Sequence, residues 1–140
     1  QPRSFDAEAE LSADGVDVCL SVTAEYPTGG LAKLNSAINT DLGSDARIVG
    51  SKGHVDIPCF WRAEQMTLTS LEGEKVDEVH EPHRVNGFEH QITEVARCLE
   101  AGMMESPVVP GSWSLAMAVL MDEIRSRVGV VYPCDGEALS

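Results

Sequence analysis

At 140 residues, 43% hydrophobic and 24% charged, the chain is large enough to bury a core as one domain and too apolar to stay disordered. Ten basic residues against 23 acidic ones leave a net charge of −13, which argues against nucleic acid, anionic membranes and polyanionic substrates as partners. No apolar run reaches membrane-spanning length.

The chain opens with QPRSF, without a methionine, and enters strand-like sequence almost at once; a fragment of a longer protein is the expectation. Ser4 to Leu11 alternates strictly: Phe5, Ala7, Ala9 and Leu11 on one face, Asp6, Glu8 and Glu10 on the other. After the turn residues 12–15, Val16 to Tyr26 alternates again, with Cys19, Ser21 and Thr23 opposite the apolar set. Pro27-Thr28-Gly29-Gly30 turns the chain into a return strand from Leu31 to Asn39. Two short strands flank Ser51-Lys52-Gly53, and two more flank Glu72-Gly73-Glu74. The first part therefore reads as about seven strands at hairpin spacing, a largely antiparallel sheet.

Beyond Pro82 the period changes. Phe88, Ile92, Val95, Ala96 and Leu99 recur at helical spacing, and Gly102 supplies a stop. After the loop ESPVVPGS, Ser112 or Ser114 is positioned to cap a second helix, which Gly129 ends. Up to Met121 that helix is apolar nearly all round, which predicts burial on more than one side. VVYP then reads as a short extended tail. Strands first and helices afterwards predict an α+β fold, an open, largely antiparallel sheet with two C-terminal helices on one face. The other sheet face mixes Cys19, Ser21 and Thr23 with apolar neighbours, a candidate partner surface.

Few constellations carry chemistry. Gly50-Ser51-Lys52-Gly53 lacks P-loop spacing, and the alternating residues after it continue as a strand; a hairpin turn is the reading, with no cofactor-binding residue. No Gly-x-Gly-x-x-Gly occurs. His80 and His83 have a spacing that some metal sites use, but Pro82 interrupts them and no third ligand is adjacent, so a solvated loop is expected and no metal. His54 and His90 stand isolated in sequence. Cys19, Cys59, Cys98 and Cys134 show no CxxC pair, which predicts reduced, mostly buried thiols in a cytoplasmic protein. No serine sits in a Gly-x-Ser-x-Gly elbow, and 23 carboxylates make any chosen acid pair uninformative, so no catalytic residue is assigned. Pro58-Cys59-Phe60-Trp61 stands apart, because two adjacent aromatics follow a strand in a chain with 5% aromatics. They are either core anchors or the wall of an apolar pocket.

Taken in order, these segments resemble the C-terminal domain of the Gfo/Idh/MocA oxidoreductases, and within that family the dimeric dihydrodiol dehydrogenase branch. The likeness is carried by Asp14-Gly15-Val16-Asp17 and the strand to Tyr26, by Gly29-Gly30, and by Val49-Gly50-Ser51-Lys52-Gly53, which matches the branch's Gly-Thr-Lys-Gly style hairpin. It continues through Pro58-Cys59 with its aromatics, Gly87-Phe88-Glu89, Cys98 to Gly102, Glu105 to Val108, Met121 to Arg125 and Tyr132-Pro133.

The resemblance implies an NAD- or NADP-binding Rossmann domain N-terminal to this one, and a dimer contact through the free sheet face. It also implies hydride exchange with a hydroxyl-bearing carbon of a sugar, polyol or diol. The family's catalytic lysine lies in a Glu-Lys-Pro motif that closes the Rossmann part. Lys33, Lys52 and Lys75 do not reproduce it, Glu74-Lys75 being followed by valine. In the dihydrodiol branch, aromatics after the hairpin line the substrate pocket, which makes Phe60 and Trp61 substrate-pocket candidates. Residues 1–140 are then a single substrate and dimerisation domain that binds no dinucleotide alone. The rival is a free-standing, non-enzymatic module that dimerises or binds through its sheet face.

Overall fold

A computed structural model describes residues 1–136. It contains seven strands and then two helices: β1 (Ser4–Leu11), β2 (Asp17–Glu25), β3 (Leu31–Ala37), β4 (Ala46–Gly50), β5 (Gly53–Ile57), β6 (Gln65–Ser70), β7 (Lys75–His80), α1 (Phe88–Glu100) and α2 (Gly111–Val128). Single 3₁₀ turns occupy Phe60–Arg62 and Pro133–Gly136. The expected α+β architecture is present, with every strand pair antiparallel. The strands are shared between two sheets, β1-β2-β3 and β4-β5-β6-β7. The chain correspondingly divides into two compact units, one built from residues 1–42 and the segment from Pro107 onward, the other from residues 43–106.

In the first unit the predicted alternation becomes two distinct sheet faces. Phe5, Ala7 and Ala9 pair with Ala24, Val22 and Leu20, and Val22 pairs onward with Leu34. Val22 and Ala24 are buried, and α2 packs against β1 on this side. Arg127 of α2 lies over the Phe5 ring at 4.6 Å and donates to the Phe5 carbonyl at 2.8 Å. The opposite face carries Asp6, Glu8, Glu10, Glu25, Thr23 and Ser21, the last bonded to Asn35 at 2.8 Å.

α2 begins at Gly111 after Pro110, and neither Ser112 nor Ser114 caps it; no side chain does. Pro110 instead supplies an extended residue and accepts the Trp113 N–H at 2.9 Å. The apolar first half of α2 is also exposed, with Trp113 and Leu115 about two-thirds open, because a helix apolar on all sides needs more cover than one three-stranded sheet provides. At the other end Gly129 adopts φ 79°, and Val130 donates to the Arg125 carbonyl. The Arg125 guanidinium lies 4.4 Å from the Tyr132 ring centroid and bonds Asp122 and Asp135. The expected extended tail therefore ends in a 3₁₀ turn at Pro133.

In the second unit, register places Arg47, His54, Asp56, Thr67 and Glu78 on one face, and Ile48, Val55, Ile57, Leu68, Met66 and Val79 on the other. A bulge at β7 adds Val76 beside Ile48, Val55 and Leu68. The polar face is tied by the cross-strand pair Arg47–Asp56 (Nε–Oδ1 2.5 Å, Nη2–Oδ2 3.1 Å) and by Glu78, which accepts from Lys75 and Gln65. The apolar face is largely open, Ile48 at 63% and Val76 at 60%.

Gly53 shows why one hairpin glycine is required. Its φ is 150°, and an added Cβ would fall 2.1 Å from the Thr69 carbonyl oxygen. Cys98 is buried as expected of a thiol here, Cys19 is half-buried, and Cys59 is exposed, against the expectation of burial. The Cys134 side chain lies outside the description.

Candidate functional site

The 50–53 segment is the turn of the β4–β5 hairpin, Gly50 pairing with Gly53 across Ser51-Lys52. A phosphate site needs amides converging at a helix start, and here the next element is a strand. From Ile57 the chain passes through Pro58 into Cys59, a non-glycine residue held left-handed at φ 48° and ψ 53°. Its N–H donates to Asp45 Oδ1 at 3.3 Å, Phe60 N–H donates to the Ser44 carbonyl at 2.8 Å, and Arg62 N–H returns to the Cys59 carbonyl. These bonds hold a strained turn that carries Phe60 and Trp61 outward, 57% and 70% exposed. Core anchoring, one of the two readings of this aromatic pair, does not describe these positions.

Two residues on, Glu64 links the aromatic turn to the histidines. Its carboxylate accepts the His83 backbone N–H at 2.9 Å and lies 3.8 Å from the Arg62 guanidinium. The His83 amide, followed by the Arg62 and histidine charges, holds that carboxyl below its ordinary range. The expectation of a loop without a third ligand changes at this point. His83, Glu89 and His90 offer ligand-type atoms within 4.8 Å of one another, and the two imidazoles meet edge-on at 5.6 Å. His80 is not in this group. His90 stood alone in the sequence because its neighbour comes from the preceding loop, seven residues back.

Glu89 organises the start of α1. Oε1 accepts the amides of Arg84 (2.8 Å) and Val85 (3.2 Å), and Oε2 those of Asn86 (3.3 Å) and Gly87 (2.8 Å). Its own backbone amide, and then these loop amides, lower its carboxyl to about 2. An anion-binding helix start exists, therefore, but the chain's own carboxylate fills it. In the middle of α1, Glu94 is also lowered to about 2, by Arg97 first and then Ser106. Cys98 beside it is pushed up by burial, which keeps it a protonated thiol and a poor nucleophile.

Two places in the described residues bear on phosphate binding. The Gly50–Gly53 turn joins antiparallel strands, and the amides before α1 are taken by Glu89. Among the described residues no helix is long and apolar enough to cross a membrane.

No family model matches the chain. Curated relatives named trans-1,2-dihydrobenzene-1,2-diol dehydrogenase do: that of Xenopus laevis is 31% identical over 138 residues, that of Mus musculus 30% over 139, and that of Homo sapiens 27% over 140. These alignments take in 95–96% of this chain and 42% of each relative. The chain thus spans less than half the length of the proteins it matches, and the resemblance to the dihydrodiol dehydrogenase branch read from its sequence is borne out.

Proposed function

We propose that this chain is the C-terminal, substrate-side and assembly part of a dihydrodiol dehydrogenase-like oxidoreductase that uses NAD or NADP and acts on a hydroxyl of a diol, polyol or sugar. The observation that carries the reading is the nearly end-to-end match, 95% of this chain against 42% of relatives named for diol oxidation. Cofactor binding then belongs to a Rossmann domain elsewhere in the whole enzyme. No catalytic residue is assigned to this chain. When bound, the nicotinamide supplies hydride chemistry, and the part proposed for these residues is to shape the substrate's surroundings.

Phe60 and Trp61 are suited to that part. Their turn is fixed by backbone bonds from Phe60 to Ser44 and from Arg62 to Cys59, so two apolar rings are presented on a backbone that is already ordered. A substrate covered by them is screened from water on one side. The whole enzyme is proposed to be a homodimer joined through a sheet face. The apolar side of β4–β7 suits this better than the acidic side of β1–β3, where like charges would meet across a two-fold axis.

Calorimetric titration of the chain with NADH and NADPH tests the assignment. The expected result is no measurable heat of binding with either; saturable micromolar binding overturns it. In the whole enzyme, Trp61→Ala is expected to raise KM for the diol at least about tenfold, the loss of one buried aromatic contact, with KM for the dinucleotide unchanged.

A further inference from the structure

We propose that His83, Glu89 and His90 form a binding site for a divalent transition-metal ion of the zinc class, at the junction of the 81–87 loop with α1. Two imidazoles and one carboxylate are a ligand set that suits such ions and leaves a position for water. Each residue contributes a ligand-type atom, and these atoms lie within 4.8 Å of one another, so modest closure brings them to the distances of about 2.0–2.2 Å that zinc requires.

Three further features favour an ion there. The Nδ1 atom of His83 is buried without a hydrogen-bond partner, so that ring retains bonding capacity at a cost in desolvation. Position 87 is a glycine at φ 91°, and a Cβ there would fall 3.1 Å from His83 Nε2, so the bare backbone lets the imidazole lie close against this turn. The Glu89 carboxylate is held in place by the loop amides. Its two longer bonds, from Val85 at 3.2 Å and Asn86 at 3.3 Å, are the ones that yield to coordination. His90 is exposed, with its ring edge-on to that of His83. A bound ion would fasten the loop after β7 to the first turn of α1, all within the 43–106 unit.

The test is calorimetric titration of the chain with zinc chloride at neutral pH under a phosphine reductant, followed by Co²⁺ absorption spectroscopy. Expected are one saturable site and a cobalt spectrum without the intense sulfur-to-metal charge-transfer band that thiolate ligands produce. His90→Ala should weaken binding by roughly tenfold or more, and His80→Ala should leave it unchanged. Because His83 is half-buried, its replacement risks the fold, so the exposed His90 carries the decisive variant and His83→Gln serves as the second. No saturable site, binding undiminished in His90→Ala, or a thiolate spectrum would each overturn the proposal.

Discussion

The two sheets are built from similar strands and end in different states. In β1–β3 the apolar side has a partner in the same unit, since α2 lies on Phe5 and its neighbours and Val22 and Ala24 are buried. In β4–β7 the apolar side, with Ile48, Met66, Leu68, Val76 and Val79 each at least 39% exposed, stays open. The polar sides differ as well. That of the first sheet carries Asp6 and Glu25, paired with Arg127 and Arg3, together with Glu8 and Glu10, whereas that of the second is neutralised pairwise by Arg47–Asp56 and Lys75–Glu78. Alternation says that a strand has two faces; it does not say what covers the apolar one.

The sharpest way to break the contrast is at a hairpin glycine of each sheet. Gly53→Ala drives a Cβ into the Thr69 carbonyl and should cost about 3 kcal/mol or more. Gly29→Ala, at φ 83° with nothing within 4 Å of the added carbon, should cost about 1 kcal/mol. Urea melts of the two variants check this, and equal losses would show that the close approach of β5 to β6 is relieved elsewhere.

Next in size is assembly. Ile48→Lys with Val76→Lys on the open face should weaken self-association by roughly a hundredfold, each side chain withdrawing about 1.4 kcal/mol of burial, with little change in the far-UV spectrum. Ser21→Lys on the acidic face should leave association unchanged. Sedimentation velocity over a concentration series distinguishes them, and the reverse pattern would return the partner surface to the first sheet. A covered face should respond in folding instead, Val22→Ala costing about 2 kcal/mol without altering association.

The smallest expected difference is in acid. Asp56, Glu64, Glu78, Glu89 and Glu94, all in the 43–106 unit, are held below their ordinary range; in the other unit, among the described residues, Asp135 is the group so held. A carboxyl lowered by folding stabilises the fold above its unfolded value and loses that contribution as pH falls through the folded value. For Glu89 the window runs from 4.5 down to about 2. Amide exchange should therefore rise first in residues 43–106 as pH is lowered through that window. Earlier opening of β1–β3 would contradict the assignment. Glu89→Gln should melt below the parent at pH 7 and converge with it near pH 2.

Much of this was legible in one dimension. Strict alternation located β1 and β2, the spacing of Gly50 and Gly53 located a hairpin rather than a phosphate cradle, and the turn to helical period after Pro82 located α1. These signals are local, because side-chain direction follows backbone period and glycine marks positions other residues cannot adopt. The division into two sheets was not legible, since pairing partners depend on which hairpins meet in space. Nor was the exposure of Phe60 and Trp61, which depends on Asp45 and Ser44 holding a left-handed Cys59 from across the unit. By itself the sequence determined the order and kind of the elements, the net negative charge and the likeness to the dihydrodiol dehydrogenases. Only the tertiary structure decided which apolar face is covered and that His90 reaches His83. Burial and ligand sets belong to distances between residues remote along the chain, which no local period encodes.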